Sequence, residues 1–130
     1  MRLLAHRLSV FCLLLFILTF AGCGSSPESV VEKFFKAAAA NRVDDAIECF
    51  SLKDVKQNDL TMIKGKLQMI VGEQYSTIQE KGGLSSVKAT LMEKSGDTAK
   101  VKAVVKFKNG QTDEEIFDLI KDKGWKIVVK

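Results

Sequence analysis

Residues 98–108 read Thr-Ala-Lys-Val-Lys-Ala-Val-Val-Lys-Phe-Lys, and apolar and polar side chains alternate along nearly all of this stretch. Because the side chains of a β-strand point to opposite faces in turn, the alternation predicts a strand with one buried and one exposed face. The apolar face carries every second residue, namely Ala99, Val101, Ala103, Val105 and Phe107. The exposed face is rich in lysine: Lys100, Lys102, Lys106 and Lys108. A sheet of this kind must bury its apolar face against a second layer.

Further strands surround this one. The same period of two continues in three other segments, at 84–93, 112–121 and 125–129. Glycine-containing turns separate them, at 95–97, 109–110 and 122–124. Strands joined by such short turns pair in antiparallel fashion, so the chain is predicted to end in a four-stranded antiparallel sheet. The last turn is predicted to bring Trp125, Ile127 and Val129 beside Lys121, Leu119 and Phe117.

The turn at 109–110 sets the register between the second and third strands. A strict two-residue hairpin there would place Val101 opposite Asp118, which is unfavourable on an apolar face. A three-residue loop, or a bulge beside Gly110, shifts the register by one residue and places Val101 opposite Leu119. The same shift places Ala103 opposite Phe117 on the apolar face. On the exposed face it places Lys102 opposite Asp118 and Lys106 opposite Glu114. We therefore predict the shifted register.

The segment before the sheet has helical periodicity. Apolar residues recur every three to four positions after Pro27: Val30, Val31, Phe34, Phe35 and Ala38. Ser26 is a suitable N-cap, and Pro27 suits the first helical turn. Helices are predicted over 27–40, 44–50 and 59–81. Helices that cover one face of an antiparallel sheet give a two-layer α+β domain.

The first 22 residues differ from this domain in composition. A basic head is followed by nine apolar residues at 10–18, and Ala21 and Gly22 come directly before Cys23. Nine apolar residues are too few to span a bilayer, which takes about 20, so the pattern predicts a cleaved signal peptide. The chain is then predicted to comprise a signal peptide, a short tether and one α+β domain, over 1–22, 23–26 and 27–130.

The end of the signal peptide has a recognisable motif. Phe20-Ala21-Gly22-Cys23 resembles the lipobox of bacterial lipoproteins, in which a small residue precedes an invariant cysteine. The resemblance implies cleavage between Gly22 and Cys23 and attachment of acyl chains such as palmitate to Cys23. No Asp follows the cysteine, which favours the outer membrane in a cell that has one and otherwise the extracellular face of the cell membrane. The alternative is an ordinary secretory signal that leaves Cys23 free.

The composition excludes several classes of function. Without Arg2 and Arg7 the predicted mature chain has 18 basic and 16 acidic side chains, too even a balance for nucleic-acid binding. It contains no histidine and only two cysteines, Cys23 and Cys49. The sequence therefore predicts no cofactor, no metal site and no nucleophile-histidine pair. Cys49 lies among apolar residues and is predicted to be a core thiol.

Several segments of the mature chain resemble one known group of domains. They are Ser-Pro-Glu-Ser-Val-Val-Glu-Lys-Phe-Phe-Lys-Ala at 26–37, Asp45-Ala46, Phe50-Ser51 and Gly124-Trp125-Lys126-Ile127. They are similar to lipoprotein domains of unknown function, also called lumazine-binding-like, in the nuclear-transport-factor-2-like (NTF2-like) superfamily. The resemblance implies a cone-like curved sheet wrapped around helices, often with a cavity and often in a homodimer. Members of the superfamily include isomerases, dehydratases and pure binding domains, so fold alone does not choose an activity.

Five aromatic residues are candidates for the lining of a ligand pocket: Phe34, Phe35, Tyr75, Phe117 and Trp125. The same residues also have the spacing of ordinary core. Tyr75 is the only tyrosine and has no acid at an identifiable partnering position, unlike the enzymes of the superfamily. The sequence therefore predicts a membrane-anchored, non-enzymatic protein that binds a small amphipathic ligand or an envelope partner. Two alternatives stay open, an assembly lipoprotein without a ligand and an isomerase-like or dehydratase-like enzyme.

Overall fold

The computed structural model describes residues 25–130, so the predicted signal peptide, its cleavage at Gly22 and the lipid attachment at Cys23 lie outside the described residues. Within this part of the chain, helices come first: α1 (Pro27–Ala39), α2 (Val43–Ile47), a 3₁₀ turn (Gln57–Asp59) and α3 (Leu60–Glu80). Strands follow: β1 (Leu84–Ser95), β2 (Thr98–Phe107), β3 (Thr112–Lys121) and β4 (Trp125–Ile127). They form one curved antiparallel sheet in the order β1-β2-β3-β4. The predicted α+β class is confirmed.

The first helix begins where its capping residues predict. The Ser29 backbone N–H donates to Ser26 Oγ at 3.2 Å, and the Ser26 N–H donates to Ser29 Oγ at 2.9 Å. Pro27 takes the first helical position, where a helix leaves its N–H groups unpaired in any case. One stripe of α1 is buried, comprising Val30, Val31, Phe34, Phe35, Ala37 and Ala38. Among the described residues the core runs from Val30 to Ile127.

The predicted register between β2 and β3 is wrong by two residues. Val101 lies opposite Phe117 instead of Leu119, and Lys102 lies opposite Ile116. Since side chains alternate with a period of two, this shift keeps every side chain on its predicted face. Two lysines of the outer face still find acidic partners, in the ion pairs Lys100–Asp118 at 4.0 Å and Lys102–Glu114 at 3.4 Å. The other predicted pairs are replaced by Ala103 with Glu115 and Lys106 with Thr112.

A tertiary contact at the hairpin tip explains the shift. The loop comprises residues 108–110, one residue earlier than the predicted register requires. Gly110 takes its last position with a φ of 90°, a conformation that favours glycine. The Lys108 N–H donates to the Gly83 carbonyl at 2.9 Å and so binds the loop to the chain that follows α3. The register was predicted from charge pairing along the strands, and that pairing does not depend on this contact.

The last turn is close to its prediction. Trp125 lies opposite Lys121 and Ile127 lies opposite Leu119, with Gly124 at a φ of 103°. The predicted pairing of Val129 with Phe117 does not form, because β4 ends at Ile127 instead of continuing to residue 129.

The segment that follows α2 pairs with β4. Phe50 pairs in parallel with Ile127, so α2 ends at Ile47 instead of continuing to residue 50. The Ile127 N–H donates to the Cys49 carbonyl at 2.7 Å, and the Ser51 N–H donates to the Ile127 carbonyl at 2.8 Å. The segment after α2 therefore covers the outer edge of β4. The other observed bounds lie within two residues of the predicted ones.

The third helix stands apart from the sheet. Of its 21 residues, Leu67, Val71 and Ile78 are buried, and α3 packs mainly on α1 and α2. Because β4 is only three residues long, residues 112–117 of β3 pair with β2 on one side and with no described strand on the other. A groove separates α3 from this free strand edge.

Candidate ligand-binding groove

The groove between α3 and β3 is an apolar hollow of about 250 Å³. Its apolar lining comprises Phe34, Phe50, Leu67, Ile70, Ile116, Phe117, Ile127, Val128 and Val129. The Phe34 ring meets the rings of Phe50 and Phe117 edge-to-face, with centroids 5.3 and 6.2 Å apart. Edge-to-face contacts hold aromatic rings in defined positions, so this part of the lining is preformed. The volume lies just below the usual range of ligand pockets, which begins at about 300 Å³.

Polar groups lie at the rim of the groove. The Lys130 ammonium lies 2.6 Å from the Asp118 carboxylate, and this charged hydrogen bond lowers the pKa of Asp118. Glu115 differs: the residue as a whole is exposed, but partial removal of its carboxylate from water raises its pKa, and the nearby charge of Asp113 adds to the effect. Neither Glu115 nor Gln74 takes part in a side-chain hydrogen bond within residues 25–130. Both are available to a ligand.

The C-terminal residues 128–130 separate this groove from a neighbouring hollow of about 340 Å³. The second hollow is lined by Val55, Ile63 and Lys66 among others. Ile63 and Ile70 both belong to α3, so the two hollows follow one another along this helix. An elongated apolar group therefore has room along α3 if the C-terminal residues shift.

The structure brings together only some of the predicted pocket residues. Phe34 and Phe117 lie at the base of the groove, where 2% and 9% of their surfaces are exposed. Phe35 is 1% exposed and belongs to the core. Trp125 is buried beside a different groove, and the half-buried Tyr75 lines neither of them.

The sequence reasoning missed the polar rim and the helical wall, formed by Ile70, Gln74, Glu115 and Lys130. One signal for Glu115 was present. It lies two residues before Phe117 and therefore occupies the apolar face of β3, where an acid interrupts the pattern. No comparable signal marks Ile70, because its position opposite the edge of β3 arises from tertiary packing.

No hydrogen bond joins the Tyr75 side chain to a carboxylate within the described part of the chain. Cys49 is buried as expected, and burial is the main cause of the raised pKa of its thiol. Among residues 25–130 no three metal-ligating side chains are grouped to hold an ion. That same range has no helix of the length and apolarity that crossing a membrane requires.

Comparison with known families gives the relationship of this domain. The family model described as domain of unknown function DUF4878 matches residues 21–128. The chain belongs to the DUF4878 family. No curated protein matches this DUF4878 chain significantly.

A solved structure shows the same architecture. It is a crystal structure at 2.00 Å resolution of a Campylobacter jejuni protein provisionally named an NTF2-like transpeptidase. The match has a TM-score of 0.75 at 22% sequence identity and covers 82% of this chain and 100% of the other. At that identity the likeness concerns the fold alone, so this DUF4878 domain has an NTF2-like fold, which is the fold that the sequence resemblance implied.

Proposed function

We propose that this DUF4878 protein is a lipid-anchored envelope protein that binds a small amphipathic ligand in the groove between α3 and β3. The lipobox at residues 20–23 supports the anchor. The preformed apolar groove is the observation that carries the ligand proposal. The proposed location is the outer membrane in a cell with two membranes, and otherwise the extracellular face of the cell membrane.

The rim of the groove indicates the chemistry of the ligand. Its apolar part would lie against Phe34, Phe117 and Ile70, which supply aromatic and aliphatic surface. Its polar part would contact Glu115 and Gln74. Partial burial disfavours the ionised form of the Glu115 carboxylate. A hydrogen-bond donor or a cation on the ligand would stabilise that ionised form. The resemblance to lumazine-binding-like domains is consistent with a ring-containing ligand.

Binding without catalysis is the simplest activity for this site. Acid-base catalysis of the isomerase type uses a carboxylate with a hydrogen-bond donor opposite it in the cavity. Glu115 is the groove's carboxylate with a raised pKa, whereas Tyr75 lies outside the groove lining. Glu115 and Gln74 are therefore proposed as ligand contacts.

Two neighbouring residues of α3 give a matched test. Ile70 is 43% exposed and lines the groove, whereas Met69 is 68% exposed and does not. We expect Ile70→Arg to fill the groove with a charged side chain and Met69→Arg to leave the groove open, both without damage to the core. Native mass spectrometry of protein extracted in mild detergent should then detect a bound molecule in the wild type and in Met69→Arg, and none in Ile70→Arg.

Two results would contradict the ligand proposal. One is a wild-type protein that is empty in every preparation. The other is an equal loss of the bound molecule in Ile70→Arg and Met69→Arg, which would show that the molecule does not occupy this groove. An empty protein would favour the assembly role, and crosslinking in intact cells should then trap one dominant envelope partner.

A further inference from the structure

A second groove lies beside the start of the described chain. It has a volume of about 280 Å³ and lies between the start of α1 and the turn that joins β3 and β4. Ser25 is packed on this turn, because its Oγ lies 3.4 Å from the point where a side chain at Gly124 would begin. The chain therefore enters the domain at this groove, two residues after Cys23.

Lysines surround this groove. Lys33, Lys123 and Lys126 line it together with Trp125. The ammonium groups of two further lysines lie over the Trp125 ring, at 5.6 Å from its centroid for Lys94 and 6.0 Å for Lys121. We call these five lysines the basic patch.

The basic patch is short of acidic partners. Its lysines form no salt bridge within residues 25–130, whereas Lys100, Lys102 and Lys130 elsewhere on the domain each pair with an acid. Lys126 donates instead to the backbone carbonyl of Glu48 at 2.7 Å, and Glu48 is the only carboxylate residue in the lining of this groove. Nearby acids, including Glu48 and Asp45, offset part of this charge, but the five lysines leave the patch with an excess of positive charge, which attracts anions.

We propose that the basic patch binds the phosphate headgroups of anionic phospholipids in the membrane that carries the protein. The proposal rests on the lipid anchor of the proposed function, because the anchor determines which surface the patch faces. Ser25 is two residues from Cys23, about 7 Å of extended chain. That distance is comparable to the electrostatic screening length of about 8 Å at physiological salt, so the end of the domain at which Ser25 enters lies within reach of the potential of an anionic surface.

The proposed contact adds a second attachment to the acyl chains. A basic patch together with lipid chains holds a protein on a membrane more firmly than either does alone. It also orients the domain, because the entry of the chain and the lysines lie at one end of the sheet. The groove between α3 and β3 contains none of the five lysines, so its lining stays clear of the bound surface.

Vesicle binding by the unanchored domain tests the proposal. The chain from residue 23 onward with Cys23→Ala lacks the proposed acylation site, so its vesicle binding does not depend on the lipid anchor. Sedimentation with phosphatidylcholine vesicles, with and without phosphatidylglycerol, should show binding that requires the anionic lipid and weakens as salt is added. Each lysine removed from the surface should weaken binding by about fivefold, so Lys33→Gln combined with Lys123→Gln should weaken it by about 25-fold.

A second pair of lysines provides the control. Lys88 and Lys106 are exposed on the outer face of the sheet and form no ion pair within the described residues. Lys88→Gln combined with Lys106→Gln removes the same charge and should leave vesicle binding unchanged. An equal loss in the two double variants, or equal binding with and without phosphatidylglycerol, would overturn the proposal.

Two further results separate this proposal from its alternatives. Inorganic phosphate and chloride distinguish the two phosphate sources. If inorganic phosphate displaces the domain from vesicles, and chloride added to a higher ionic strength does not, the patch is a site for free phosphate and the membrane proposal is overturned. Because the tested chain lacks Cys23, failure of the lipid anchor would not alter its vesicle binding. Failure of the vesicle assay would in turn leave the anchor and the ligand groove untouched.

Discussion

Two adjacent valines of β2 test the assignment of the two sheet faces. Val105 faces the helices and is 2% exposed, whereas Val104 faces outward and is half-buried. Replacing either residue by alanine removes the same two methyl groups from the same strand. The two variants lose the same intrinsic preference for β-structure, so this contribution cancels in their comparison.

The difference in burial sets the expected magnitude. Removal of two buried methyl groups at Val105 costs about 1.6 kcal/mol of transfer free energy. The cavity left behind adds about 1 kcal/mol, so Val105→Ala should lower the free energy of unfolding by about 2 to 3 kcal/mol. Val104→Ala leaves no closed cavity and should cost less than about 1 kcal/mol. Both variants should remain folded, because domains of this size have about 5 to 15 kcal/mol of stability.

Urea unfolding followed by tryptophan fluorescence measures this difference. Trp125 is the only tryptophan of the chain and is 5% exposed, so its emission reports loss of the core. The midpoint for Val105→Ala should fall by about 1 to 2 M urea, and that for Val104→Ala should fall much less. An equal or larger loss in Val104→Ala would refute the assigned faces and the packing of the sheet on α1.

Two further predictions concern the anchor and the groove. Cys23→Ala should release the protein from the membrane fraction or block its maturation, with Ser25→Ala as control, and unchanged fractionation would count against lipidation. Glu115 has a raised folded-state pKa, so the folded protein retains its proton longer than the unfolded chain does, and stability falls as pH rises from about 4.3 through the folded pKa. Because Glu115 is exposed and solvent screens its charge, Glu115→Gln should raise the urea midpoint only slightly at neutral pH. The gain should disappear below about pH 4, where the Glu115 carboxyl is protonated in the folded and the unfolded protein alike. A gain that is independent of pH, or an equal gain in Glu114→Gln, would contradict the role of burial.

The fold class followed from local patterns in the sequence. Alternation in residues 98–108 assigned the faces of β2, and the same faces are observed. Ser26 and Pro27 predicted the start of α1, and Gly124 predicted the turn before β4. Each of these signals reports the backbone conformation of a few neighbouring residues. The types of their side chains are enough to favour that conformation.

The candidate site was predicted only in part, for a physical reason. Phe34 and Phe117 were candidates because large aromatic residues line many pockets, and both line the groove. The same property does not separate them from Phe35, which is fully enclosed by the core. Whether an apolar ring lies in a core or beside an opening depends on which distant segment covers it.

The sequence by itself determined the order of helices and strands and the apolar face of each strand, because these features repeat or occur within a few residues. The lipobox-like motif at residues 20–23 is also local, and it stays a prediction. Tertiary structure alone decided the register of β2 on β3, where the Lys108 N–H bonds to the Gly83 carbonyl. It also decided the length of β4. The outer edge of β4 pairs with the segment around Phe50, and because β4 is short, part of β3 stays unpaired beside α3. Such contacts join segments far apart in the chain, and periodicity within one segment contains no information about its distant partner.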